Sequence, residues 1–124
     1  MSAPLHAADL RFVNRVAARR CAGGEPAAVA EQAIEAALDA AAVEGTPFVR
    51  TATLAALLLQ RHVFASAPLP TALLVVHCAL VLEGFVLIAP QGVTAGMIRG
   101  VAADGDAATL ARWLEDRAVP SASG

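Results

Sequence analysis

Two consecutive stretches of this chain are apolar on every side at helical spacing, with only residues 62–70 between them. The first, Thr51 to Arg61, carries Leu54, Ala55, Leu57, Leu58 and Leu59; the second, Thr71 to Leu82, is interrupted only by His77 and Cys78. A helix with one apolar stripe needs a neighbour on one side, whereas a helix without a polar face must be covered all round. The pair is therefore predicted to form the centre of a helical bundle, with the other elements arranged around it. At 124 residues there is enough chain to build one such core without disulfides or metals.

Hydrophobic content is 57% and mean hydropathy is +0.61, high for a soluble protein. About a quarter of the residues are alanine, the best helix former and a small contributor of apolar area. The composition thus points to closely packed helices rather than a membrane span. The longest apolar run, Thr71 to Pro90, contains His77, Glu83 and Gly84, and its unbroken part is too short for the roughly twenty residues a span requires. No basic segment followed by an apolar run opens the chain, so a cytoplasmic protein is expected. Net charge is −2 and no lysine occurs, which argues against a nucleic-acid surface. Cys21 and Cys78 have no paired spacing and are read as free, buried thiols.

The flanking elements read as follows. Ala8 to Arg20 forms a first helix with Leu10, Val13 and Ala17 on one face, stopped by Gly23 and Gly24. A second helix starts at Pro26 and runs to about Val43, burying Val29, Ala33, Ile34, Ala37 and Leu38, with Glu31, Glu35 and Asp39 on a solvated face. Gly45-Thr46-Pro47 breaks the chain, and Phe48 to Thr51 is predicted to be an extended flap. Pro70 starts the helix that ends at Glu83-Gly84. Phe85 to Ala89 is a short strand, Val93 to Ala103 a weak helix, and Asp106 caps a last helix with Leu110, Trp113, Leu114 and Ala118 inward. Pro120 to Gly124 is predicted to fray. The fold class is thus mainly α, one domain over residues 1–124 with an ordered core at about 5–118, built of about six helices and at most a short strand or flap.

The connection between the two central helices, His62-Val63-Phe64-Ala65-Ser66-Ala67-Pro68-Leu69-Pro70-Thr71-Ala72, is the candidate site. A histidine at the end of one helix faces the start of the next. Helix starts present free backbone N–H groups and a partial positive charge, which suit phosphate, and a histidine there can act as a general base. No spacing typical of metal ligands is present, and no metal site is expected.

This segment resembles the active-site motif of the Fic/Doc (Fido) family, His-x-Phe-x-Asp/Glu-Ala/Gly-Asn-Lys/Gly-Arg, and in particular its short death-on-curing (Doc) branch, where Thr-Ala follows. His62, Phe64, Ala67, Thr71 and Ala72 match in register, and Glu83-Gly84 falls where the family has Asn-Gly. The similarity spans roughly Leu5 to Ala118. It implies the Fido helical fold, His62 as general base, and a phosphate-binding loop involving Phe64, Ser66, Ala67 and Thr71. It also implies a bacterial protein of the toxin–antitoxin type, with an antitoxin-like helical segment, or a second copy of the chain, as partner.

The polar positions of the motif depart from the pattern. Ser66 replaces the magnesium-binding carboxylate, and a neutral hydroxyl is a poor ligand for a hard cation. Pro68 stands at the asparagine, Leu69 at the lysine or glycine, and Pro70 at the arginine. The prolines also remove two backbone donors. Phosphoryl and nucleotidyl transfer rest on positioning and charge neutralisation, so the expected activity is lost, His62 is vestigial, and no cofactor is expected. The competing expectation is an active transferase that uses ATP and Mg²⁺ to modify a protein hydroxyl.

Overall fold

The computed structural model describes residues 5–21, 29–43 and 45–121. Among them lie six helices and two short strands: α1 (Ala7–Cys21), α2 (Glu31–Ala42), α3 (Pro47–Gln60), α4 (Pro68–Leu82), β1 (Phe85–Leu87), α5 (Gln91–Asp104), α6 (Ala107–Arg117) and β2 (Ala118–Pro120). The mainly α class expected from the sequence is what forms. No helix of the described residues is long and apolar enough to cross a membrane. The predicted helix start at Pro26 and the stop at Gly23-Gly24 lie outside the described residues.

α3 and α4 are central, as their lack of a polar face requires. Each contributes to two hydrophobic clusters. One joins Ala52, Ala55 and Ala56 of α3 with Ala72, Val76 and Leu80 of α4, Leu87 of β1, Ile98 of α5, and Leu110 and Leu114 of α6. The other joins Leu54 and Leu58 of α3 with Val75 of α4, Leu10 of α1, Ile34 and Ala37 of α2, and Val63 and Phe64 of the connection. Most of these side chains are fully withdrawn from water, and each large one contributes about 1.5–3 kcal/mol. Trp113 packs partly buried on the first cluster, with the Arg117 guanidinium 4.6 Å over its ring.

Five local expectations are corrected. Phe48 to Thr51 is not an extended flap but the first turns of α3. Thr46 is its N-cap, accepting from the Val49 N–H at 3.2 Å, and Pro47 occupies the first helical position. What reads as a chain break is a helix start, because a threonine followed by proline satisfies both cap and first turn. Likewise α4 begins at Pro68 rather than Pro70.

Pro120 does not fray: β2 pairs antiparallel with β1, setting Phe85 opposite Pro120, Val86 opposite Val119 and Leu87 opposite Ala118. The Ser121 N–H donates to the Gly84 carbonyl at 2.8 Å, and the rest of the predicted tail lies outside the described residues. Ala118 therefore belongs to this strand rather than to the last helix. Finally, Cys21 is exposed at the end of α1, and only Cys78 is partly buried; both thiols are free. Burial, with a smaller contribution from Asp9, pushes the Cys78 thiol above its ordinary range.

Candidate functional site

The connection from α3 to α4 is built by backbone geometry. α3 ends at Arg61 and His62 follows with φ of 50°, in the left-handed region. The His62 N–H donates to the Leu59 carbonyl at 3.2 Å and the Val63 N–H to the Leu58 carbonyl at 3.1 Å. These two bonds are the pattern of a Schellman cap, in which the left-handed residue reverses the chain and the next residue packs back onto the helix. Val63 and Leu58 are both buried in the second cluster, which supplies that apolar contact.

Two neighbouring helices also end at a left-handed residue, and there it is glycine. Gly84, with φ of 91°, follows α4, and Gly105, with φ of 80°, follows α5. His62 thus occupies the position that glycine fills elsewhere in this chain. Histidine is among the residues that tolerate this conformation better than most. Its imidazole is exposed.

Phe64 is buried at 2% exposure and pins the connection into the core. Ala67 is again left-handed, with φ 45° and ψ 53°, and acts as N-cap of α4 without a side-chain bond. A helix start leaves its first four N–H groups without helical partners. Here Thr71 makes the first helical bond, to the Ala67 carbonyl at 3.0 Å, so these four belong to residues 67–70. Two of them are Pro68 and Pro70, which have no N–H. The anion-binding capacity of this helix start is halved, and residues 63–71 carry no charged side chain to supplement it.

One residue that holds this connection is not legible as a site residue in the sequence. Asn14 of α1 is 2% exposed, and its Nδ2 donates to the Ser66 carbonyl at 2.8 Å and to the Thr71 Oγ1 at 2.9 Å. Asn14 lies four residues after Leu10 and three before Ala17, on the apolar stripe of α1. A polar residue in phase with a buried stripe was the available signal. Thr71 is fully buried, with its hydroxyl engaged by Asn14. Of the sequence-selected residues, Phe64 and Thr71 therefore face the interior, Ser66 is half-buried at the turn, Ala67 shapes the backbone, and His62 faces solvent.

A concave surface of the described residues lies elsewhere. A cleft of about 490 Å³ opens at the other end of the α3–α4 pair, floored by Leu5, Leu38, Leu54 and Ala79 and rimmed by His6, Asp39, Arg50 and Glu83. Arg50, near the start of α3, meets Glu83, the C-cap of α4, at 3.2 Å. Without that guanidinium, a carboxylate at a helix C-terminus would oppose the helix dipole. His6, Arg50 and Glu83 come together from positions far apart in sequence, and no motif announces them.

No group of three or more His, Cys, Asp or Glu among the described residues could hold a metal ion. His77, in the middle of α4, has a buried Nε2 with no hydrogen-bond partner, and burial lowers its pKa below the ordinary histidine value. Comparison with family models, with curated proteins and with solved structures found no match.

Proposed function

We propose that this chain is a Doc-like member of the Fic/Doc type whose active-site loop has become a structural connection. It acts in the cytoplasm by binding a protein partner, in the manner of a toxin–antitoxin component, and transfers neither phosphate nor nucleotide. The observation that carries this reading is the first turn of α4, where Pro68 and Pro70 remove two of four anion-binding amides. Three further features support it. His62 is the left-handed residue that follows the Arg61 cap of α3, Thr71 is buried against Asn14, and the metal-binding position is the neutral Ser66. One lost donor of the oxyanion type is worth about 3 kcal/mol, so these losses together leave negligible transfer activity.

Titrating ATP into the full chain with and without Mg²⁺, followed by calorimetry and thermal shift, tests the reading. No saturable heat and no metal-dependent stabilisation are expected. Tight, Mg²⁺-dependent binding would contradict it and favour the active transferase. A triple variant, Ser66→Asp with Pro68→Asn and Pro70→Arg, tests the family frame itself. It is expected to gain Mg²⁺-dependent ATP binding that the native chain lacks.

A further inference from the structure

Among the described residues the buried polar side chains are Asn14, Thr51, Thr71 and Thr94. Three of them are satisfied within the chain. Asn14 donates to the Thr71 hydroxyl at 2.9 Å, and the Thr94 hydroxyl donates to the Pro90 carbonyl, four residues back, at 3.2 Å. Thr51 is the exception. It is 3% exposed and lines the cleft of about 490 Å³, yet its hydroxyl forms no hydrogen bond among the described residues. A helical threonine can bond the carbonyl one turn back, as Thr94 does, and a buried hydroxyl left without any partner is costly. The unused hydroxyl on the wall of an open cleft points to a partner from outside the chain.

Charge decides what kind of partner. The starts of α1 and α3 and the ends of α2 and α4 all meet at this cleft, so their dipoles offset and the side chains set the sign. The Arg50 guanidinium is engaged by Glu83 at 3.2 Å and by the Gly45 carbonyl at 3.4 Å. Asp39 is exposed at the rim and forms no ion pair among the described residues. Glu35, one turn earlier on α2, lines an adjoining trough and carries the same sign. With histidine neutral at pH 7, the uncompensated charge at the opening is negative.

We propose that this cleft binds a small organic amine. The ammonium meets the Asp39 carboxylate at the rim, an apolar ring or chain covers Leu5, Leu38, Leu54 and Ala79, and a hydroxyl at the inner end bonds Thr51. An apolar floor with a few placed polar groups is the usual make-up of a small-ligand site, and the cleft falls within the usual size of about 300–1,000 Å³. An anion of the same shape is rejected, because Asp39 repels it and Arg50 is already engaged. A ligand of about ten non-hydrogen atoms binds such an open site with a Kd of about 1 mM. The site stands on the cleft alone and is independent of the fate of the α3–α4 connection.

Titration of the full chain with three probes, followed by amide chemical shifts in solution, tests it. Tyramine carries the ammonium, the ring and the inner hydroxyl; phenethylamine lacks the hydroxyl; 3-(4-hydroxyphenyl)propionate reverses the charge. Tyramine is expected to give saturable shifts at residues 38–42, 50–54 and 79–83, to bind about fivefold more tightly than phenethylamine, and to loosen as salt rises. The propionate should not saturate. Asp39→Asn should weaken both amines about threefold, since the contact is solvent-exposed. Thr51→Val should abolish the preference for tyramine over phenethylamine while leaving the urea midpoint unchanged or higher, because the hydroxyl it removes has no partner in the chain. No saturable shift with tyramine up to about 10 mM overturns the proposal and leaves the hydroxyl to water. So does a propionate that binds as tightly as tyramine, a tyramine preference that survives Thr51→Val, or a clear loss of stability in that variant.

Discussion

The two ends of the central α3–α4 pair are separated by the length of α4, about 22 Å, and are built on opposite plans. At one end the chain passes from α3 to α4 through two left-handed residues, His62 and Ala67, with Phe64 buried between them, Thr71 buried in the first turn of α4 and Asn14 holding the turn from α1. At the other end Thr46 caps α3, Arg50 meets Glu83, and a cleft stays open beside Leu54 and Ala79. The first end carries the residues that look chemical in sequence, yet its polar groups satisfy one another and its helix start is short of donors. The second lies outside the loop motif, yet its ionisable groups line an open cleft. A sequence motif marks where a chain reverses as readily as where it reacts, and the hydrogen-bond partners decide between the two.

Breaking the first end should have the largest effect. Asn14→Ala removes one buried and one part-buried hydrogen bond and leaves the Thr71 hydroxyl without its donor, a cost of about 2 kcal/mol in urea unfolding. Loss of well under 1 kcal/mol would mean that the connection is held by its apolar anchors alone. Ala67→Gly sharpens the same point from the other side. A left-handed residue with a Cβ costs about 1–2 kcal/mol, so the variant should be more stable than the native chain by about 1 kcal/mol.

The cleft end should respond less. Arg50→Met removes a pair whose side chains are 32% and 23% exposed, and after allowance for solvent screening its loss costs about 1 kcal/mol or less. Glu83 is the C-cap of α4, where a carboxylate is unfavourable, so Glu83→Gln on top of Arg50→Met should recover part of that loss.

Between the two ends, His77 offers the smallest and most conditional effect. Its buried Nε2 has no acceptor, and burial holds its pKa below the ordinary value of 6.5. The native state therefore binds this proton less readily than the unfolded chain. Its contribution is intact above pH 6.5 and is lost as pH falls through that value towards the lower folded one. His77→Leu should show a smaller drop in urea midpoint between pH 7 and pH 5 than the native chain. An equal drop in both would place the acid sensitivity elsewhere.

Much of the framework was legible in the sequence because hydrophobic periodicity dictates it. The central pair, the inner stripe of α6, the Asp106 cap and the stop at Glu83-Gly84 all follow from patterns of a few adjacent residues. The errors fall where one residue type serves two purposes. Proline at 47 and 68 reads in sequence as a break or as loop, yet each occupies a first helical position, where a missing N–H costs nothing. β2 was missed because a three-residue strand ending in proline has no pattern of its own, and it exists only because β1 lies opposite. Asn14 and the Arg50–Glu83 pair depend on contacts between residues 33 to 57 positions apart, which no local spacing encodes.

The central claim is that His62 serves as the left-handed residue that reverses the chain after the Arg61 cap of α3, and its most direct test is the urea stability of His62→Gly. Glycine fills the equivalent left-handed positions at 84 and 105. The account predicts a gain of about 1 kcal/mol, with the α3–α4 connection unchanged. A variant less stable than the native chain would show that the imidazole itself holds the loop, and would contradict the account.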